Sequence, residues 1–399
     1  MVRKENGKWT GLAVFLCLAL VCWAVPADAQ LIGDWSGYFT NLGGADYFDH
    51  PMDVGQDGSV TLVTTADSTF LDQFSSTRVL DQNGDTIDFT LLMESPKTFV
   101  VPLAAGSYVI RIGRGLQNKY GNYSIKANLA PANVGATETE NNDLISSANT
   151  NPNNLFAGAI GHIRAKDVKD LSDYYRFTLT TDTNVHFDLT TADTLVSSNT
   201  VLSLRNGSDT QLNFTYLSAP SKTWDLFLAA GIYYLRVYIA DWSKYGGYTT
   251  TTTTTPAVSP SSETENNDTF AAANPVKKKL LLGSIGYMRN TGFFDDSDYF
   301  SCQVAQGGTL SAEILPAVTL QSLTNVINIR DGSGVRLDYA YLSGSPRSVS
   351  VNNLDAGIYY LQVSRAVGQG AYQINVSGNV ILPGSGIAGS IISPLLLSE

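Results

Sequence analysis

Cysteine is nearly absent from this chain, which has only Cys17, Cys22 and Cys302 in 399 residues. The first two fall in an N-terminal leader, so a mature molecule has no intramolecular disulfide and must rely on core packing or bound metal. Histidine is equally sparse, at His50, His162 and His186, which leaves no His/Cys set for zinc or a redox metal. No G-x-S-x-G elbow, H-E-x-x-H helix or phosphate-binding loop is present, so a non-catalytic protein is expected. Cys302 has no basic neighbour to activate it and reads as a small buried hydrophobe. His50 aligns with Phe177 and Cys302 on an inward strand face. Charged residues are scarce at 15%, and acids outnumber bases 36 to 25. That balance disfavours nucleic acid and anionic membrane as partners.

The first 29 residues read as a signal peptide. Arg3, Lys4 and Lys8 precede an apolar stretch from Leu12 to Val25, and Ala27-Asp28-Ala29 supplies small residues before a cut at Gln30. The stretch is short for a membrane span and ends in Pro26. Its removal takes three basic and two acidic residues, moving the net charge from −11 to −12. A secreted or cell-surface location follows, with the periplasm as the alternative, and no span in the mature chain.

One phrase is written three times: LAAGSYVIRI at 103–112, LAAGIYYLRV at 228–237 and LDAGIYYLQV at 354–363. This long period gives tandem units of domain size, each able to bury its own core. They are expected at 30–130, 131–256 and 257–380, followed by an apolar tail at 381–399. Within the phrase, Tyr108/Ile110/Ile112, Tyr233/Leu235/Val237 and Tyr359/Leu361/Val363 share one strand face, and Arg111, Arg236 and Gln362 the other. The preceding Ala-Gly pair suggests a positive φ at Gly106, Gly231 and Gly357. Asn83-Gly84, Asn206-Gly207 and Asp331-Gly332 predict type I′ hairpins. Each is followed by a similar strand: FTLLMESPK, FTYLSAPSK and YAYLSGSPR. The run Thr249–Thr255 starts on a strand and leads through Pro256 into a linker. The fold class is therefore all-β, with three tandem jelly-roll-like β-sandwich modules after a signal peptide.

Units two and three open alike, with Glu138-Thr-Glu140-Asn-Asn142-Asp143 and Glu263-Thr-Glu265-Asn-Asn267-Asp268. About thirty residues on come Asp170-Leu-Ser-Asp173-Tyr174 and Asp295-Asp-Ser-Asp298-Tyr299. One such phrase alone reads as a solvated acidic linker. Two matched sets in two units point instead to calcium, a hard cation that takes six to eight oxygen ligands.

These openings, the D-x-x-D-Y strand start and the A-G-x-Y-Y-L-x-V strand resemble the bacterial pre-peptidase C-terminal domain over nearly all of 136–380. The resemblance implies β-sandwich modules that accompany secreted peptidases and other exported proteins. Its collagenase members bind collagen and take up calcium between linker and sandwich. By motif, the ligands in unit two are Glu138, Glu140, Asn142, Asp143, Asp170 and Asp173, with Tyr174 beside them. In unit three they are Glu263, Glu265, Asn267, Asp268, Asp295 and Asp298, beside Tyr299. Unit one keeps only Asp46-Tyr47-Phe48 and is expected to fold without this site.

The expected function is attachment to an extracellular protein or polysaccharide by calcium-stabilised modules. The alternatives are self-association into a filament or surface layer, and service as an accessory to a secreted peptidase. An exposed aromatic strip would favour attachment; Trp224, Tyr238, Trp242 and Tyr245 are candidates.

Overall fold

The computed structural model describes residues 29–41, 44–132, 138–150, 155–257 and 262–383. The expectations for the leader before residue 29 and the tail after 383 lie outside the described residues. Every regular element among those described is a strand, apart from four short 3-10 turns. Strands form because the sequence alternates, so each can bury one face and solvate the other. Gly231–Ile239 shows this, with Tyr233, Leu235, Val237 and Ile239 buried and Tyr234, Arg236 and Tyr238 on the outer face.

In the second module one sheet runs Gln211–Tyr216, Thr200–Arg205, Gly231–Ile239, Ser172–Leu179, Asn149–Thr150. The other runs Leu155–Ile160, Gly246–Pro256, Thr183–Thr191, Ser221–Leu228. Between them lies a core that includes Phe156, Tyr175, Phe187, Leu204 and Leu235. The third module repeats the plan around Phe300, Cys302, Ile314, Ile329 and Leu361. The first encloses Phe39, Leu62, Val79, Ile110 and Ile125. Neighbours in a sheet are mostly distant in sequence, as in a jelly-roll-like sandwich. The threonine run is strand throughout: Gly246–Pro256 pairs with Thr183–Thr191 on one side and Leu155–Ile160 on the other.

Three local expectations are corrected. The mid-module hairpins are five-residue loops, not type I′ turns, because Leu80 pairs with Thr86, Arg205 with Gln211 and Arg330 with Arg336. The positive φ falls at the fourth loop residue: Gly84, Asp209 or Gly334. The loops are set by Asp81, Asn206 and Asp331, whose side-chain oxygens accept from backbone N–H groups two and four residues on. Gly231 and Gly357 are not among the residues with positive φ. Unit one is also displaced in register. Phe48 pairs with Ile112 where Asp173 pairs with Val237 and Asp298 with Val363. His50 accordingly takes the place of Tyr175 and Phe300, and Met52 that of Phe177 and Cys302. A slip of two residues keeps every side chain on its own face, so alternation cannot reveal it.

The two junctions between modules are built alike. Ala104 N–H donates to the Ile163 carbonyl (3.0 Å) and Ala229 N–H to the Met288 carbonyl (2.9 Å). The Tyr108 hydroxyl lies 2.9 Å from both the Ala104 and Ile163 carbonyls, and Tyr233 repeats this at Ala229 and Met288. The chain turns into each junction at Gly161 (φ 85°) and Gly286 (φ 93°). A Cβ at either would meet a backbone carbonyl oxygen, Lys244 at 2.3 Å or Gly368 at 2.6 Å, so glycine is required there.

Cys302 is fully buried, and desolvation pushes its thiol up to about 12. A chain beginning at residue 30 is expected to resist a thiol reagent at pH 8 until denatured, then to react once per molecule. Rapid labelling of the native protein would contradict this burial.

Candidate metal centre

Each acidic opening folds against the end of the strand that carries the second acidic phrase. In module two the Glu138 carboxylate accepts from Ala159 N–H (2.6 Å) and from the Tyr175 hydroxyl (3.0 Å). The Tyr248 hydroxyl donates to Asp173 at 2.6 Å. In module three Glu263 accepts from Ser284 N–H (2.6 Å), while the Tyr372 hydroxyl stands 3.0 Å from Glu263 and 2.7 Å from Asp298. One phenol has one proton to donate, so it satisfies only one of those two carboxylates. The openings also share a cis peptide bond, at Glu140–Asn141 and Glu265–Asn266.

These contacts bring the carboxylates together. Carboxylate oxygens of Glu138, Glu140 and Asp173 lie within 4.8 Å of one another, as do those of Glu265, Asp295 and Asp298. Asp170 joins Glu140, and Glu263 joins Glu265, in two further groups completed by Asp57 and Asp182. Asn142 and Asn267 are fully buried beside them. Asp143 and Asp268 stand apart at the rim, where each pairs with an arginine. Tyr174 and Tyr299 do not face the acids, since alternation turns them outward. Tyr174 meets Asp209 and lies under Arg236, and Tyr299 packs on Phe270. Tyr175 stands at the acids in module two, at a position that holds Phe300 in module three.

The electrostatics of both clusters are uncompensated. Burial, reinforced by neighbouring carboxylates, raises Glu138, Asp170, Asp173, Glu263, Asp295 and Asp298 above the usual carboxylate range. One cation reaches into each cluster. Arg164 contacts Glu140 (2.5 Å), Asp143 (2.7 Å) and Asp170 (3.6 Å), and Arg289 contacts Glu265, Asp268 and Asp295. A single guanidinium cannot neutralise this many acids. Buried oxygens of these residues also lack any hydrogen-bond partner: Asn142 Oδ1, Asp170 Oδ2 and Asp173 Oδ1 in one module, Glu265 Oε1, Asn267 Oδ1, Asp295 Oδ2 and Asp298 Oδ1 in the other. Unpaired buried oxygens are costly. An all-oxygen, strongly anionic donor set of this kind fits a hard divalent cation and does not fit zinc or copper.

Unit one has replaced the arrangement. Phe48 occupies the aspartate position and packs on Phe39 and Tyr123. The Tyr123 hydroxyl, equivalent to those of Tyr248 and Tyr372, bonds His50 Nε2 at 3.0 Å. Among the described residues, no group of three candidate ligands lies within this unit alone.

The sequence reading missed Arg164, Arg289, Tyr248, Tyr372, Asp57 and Asp182 as participants. The arginines recur at matched positions in GHIRA and GYMRN, which was the available signal.

No family model and no curated protein matches the chain. Among solved structures it is similar to the pre-peptidase C-terminal domain of collagenase from Bacillus anthracis. That match has 20% identity, spans 27% of this chain and 94% of that one, and has a TM-score of 0.22. A triple jelly-roll protein of an archaeal virus turret matches at 10% identity over 89% of both chains, with a TM-score of 0.17. A truncated AlyQ with CBM32 and alginate lyase domains matches at 10% identity over 57% of this chain and 99% of that one, with a TM-score of 0.19.

Proposed function

We propose that this protein is an exported, non-catalytic string of pre-peptidase C-terminal-like modules, stabilised by calcium, that attaches to an extended extracellular protein or polysaccharide. The observation that carries the reading is an exposed hydrophobic pair repeated on an open edge, aromatic in both members in modules two and three. Thr86–Leu91, Gln211–Tyr216 and Arg336–Tyr341 are each the last strand of their sheet. Each presents two large side chains outward: Phe89 and Leu91, Phe214 and Tyr216, Tyr339 and Tyr341, all between 37% and 53% exposed. Ring centroids in the last two pairs are 5.3 and 5.4 Å apart. Arg78 and Arg336 lie over Phe89 and Tyr339. Exposed hydrophobic edge strands invite aggregation, and three at matched positions are better explained by use. Flat rings with arginine beside them suit sugar faces or an extended peptide. Trp224 instead packs on Phe187, while Trp242 remains exposed.

Calcium acts in this reading as the fastener of each acidic opening. Without it the crowded carboxylates repel and the opening leaves the sandwich; with it the docked state is stabilised by mass action. Glu138, Glu140, Asp170 and Asp173, with Asn142, would hold it in module two. Glu263, Glu265, Asp295 and Asp298, with Asn267, would do so in module three.

Cosedimentation in calcium with insoluble collagen, cellulose and chitin tests the attachment. The native chain is expected to be retained by at least one polymer. A Phe214→Ser/Tyr216→Ser/Tyr339→Ser/Tyr341→Ser variant, left with one module's pair, is expected to lose about a hundredfold in apparent affinity. Equal retention of the two proteins would remove the aromatic edges from the account. Concentration-dependent assembly that disappears in the same variant would favour self-association instead.

A further inference from the structure

Each acidic cluster contains one carboxylate that belongs to the module before it. Asp57 follows strand Tyr47–Val54 of module one and stands with Glu140 and Asp170 of module two. Asp182 follows strand Ser172–Leu179 of module two and stands with Glu263 and Glu265 of module three. The two are equivalent. Asp57 Oδ1 accepts from Ala105 N–H at 2.7 Å, and Asp182 Oδ1 accepts from Ala230 N–H at 3.1 Å. One oxygen thus anchors the side chain in its own module and the other faces the next. Asp182 Oδ2 accepts from Ser284 Oγ at 2.9 Å, and Asp57 Oδ2 lies 3.8 Å from Nδ1 of the buried His162. Burial holds His162 far below its ordinary range, hence neutral, so it brings no charge to balance Asp57.

We infer that Asp57 and Asp182 complete the cation sites of modules two and three, so that each bound cation clasps two neighbouring modules rather than closing one. This rests on the calcium reading above. Three observations carry it. Asp57 shares a group with Asp170, whose buried Oδ2 is unpartnered, and through Glu140 and Glu265 both aspartates adjoin the groups of Asp173 and Asp298, each with an unpartnered buried oxygen. A recess of about 300 Å³ opens at the second junction, lined by Asp182 and Ala230 on one side and Glu263, Glu265 and Ser284 on the other. The third module has Gln306 at this position, its Oε1 accepting from Ala356 N–H at 3.1 Å, so the anchor is kept and the charge is dropped.

The sign of the expected effect separates a ligand from a structural carboxylate. Asp57→Asn and Asp182→Asn keep the backbone anchor and remove one charge from a crowded anionic site. In chelator each variant of the full chain is therefore expected to melt at or above the native temperature. In calcium titrations each is expected to lose about tenfold or more at one of two sites, and the double variant at both. Should an amide not be tolerated, Asp182→Glu keeps the charge but misplaces it, and affinity must still fall while the chelator melting temperature holds. If the native chain binds no calcium, the underlying reading fails. If it binds and the variants bind as tightly, or melt lower by the same amount with and without calcium, the clasp is overturned and the aspartates are structural.

Discussion

Calcium at about a hundred times its dissociation constant is expected to raise the melting temperature of the chain by roughly 10 °C, and excess chelator to reverse the gain. One site saturated to that degree contributes about 2.7 kcal/mol to the state that binds it. For a module of this size each kcal/mol moves the midpoint by several degrees. Magnesium is expected to do much less, because it demands near-octahedral geometry and gives up water reluctantly. Asp173→Asn with Asp298→Asn should abolish the response, since each is a fully buried carboxylate with one oxygen tied to a tyrosine and the other unpartnered. Differential scanning calorimetry in calcium, magnesium and chelator measures all of this. Identical curves in the three, with no heat on calcium titration, would leave the acidic openings as plain linkers.

The second large effect needs no ligand to be touched. Gly158 and Gly283 lie on the strands that receive Glu138 and Glu263. A Cβ on Gly158 would stand 1.9 Å from Glu138 Oε2 and 2.6 Å from the Tyr248 hydroxyl; on Gly283 it would meet the Tyr372 hydroxyl at 2.4 Å and Glu263 Oε2 at 2.5 Å. Gly158→Val and Gly283→Val therefore force the opening glutamate out of place while every candidate ligand is retained. Overpacking of this kind costs about 1–3 kcal/mol, which corresponds to roughly a tenfold to hundredfold loss of calcium affinity. Isothermal titration of the paired variants checks it. Undiminished binding would mean that the opening does not dock where Glu138 and Glu263 now sit.

Much of this was legible in the sequence. The alternation in LAAGIYYLRV fixes which residues are buried, because a strand in a sandwich has one wet face. The acidic phrases are local strings, and eight of the ten carboxylates named from them stand in the clusters. What alternation could not show was register. Asp46-Tyr47-Phe48 resembles Asp173-Tyr174-Tyr175, yet the strand slips by two and puts Phe48 where the aspartate would be. Nor could single-module reasoning reach Asp57 and Asp182, which sit in short turns as ordinary surface aspartates and acquire their setting only when the next module is added. Tyr174 was misplaced for a simpler reason: its neighbour Tyr175, one residue on, points the other way.

If the edge strands attach to a polymer as proposed, the repeated junction has a consequence for recognition. Because Ala104/Ile163 and Ala229/Met288 make the same bonds, the step from module one to two is built from the same parts as the step from two to three. The exposed hydrophobic edge pairs are thereby phased, like marks on a ruler, rather than scattered on independent beads. A polymer shorter than one step would engage a single pair and gain nothing from the others. One whose own repeat is commensurate with the step would engage all three, so that affinity should rise abruptly with ligand length and not in proportion to it.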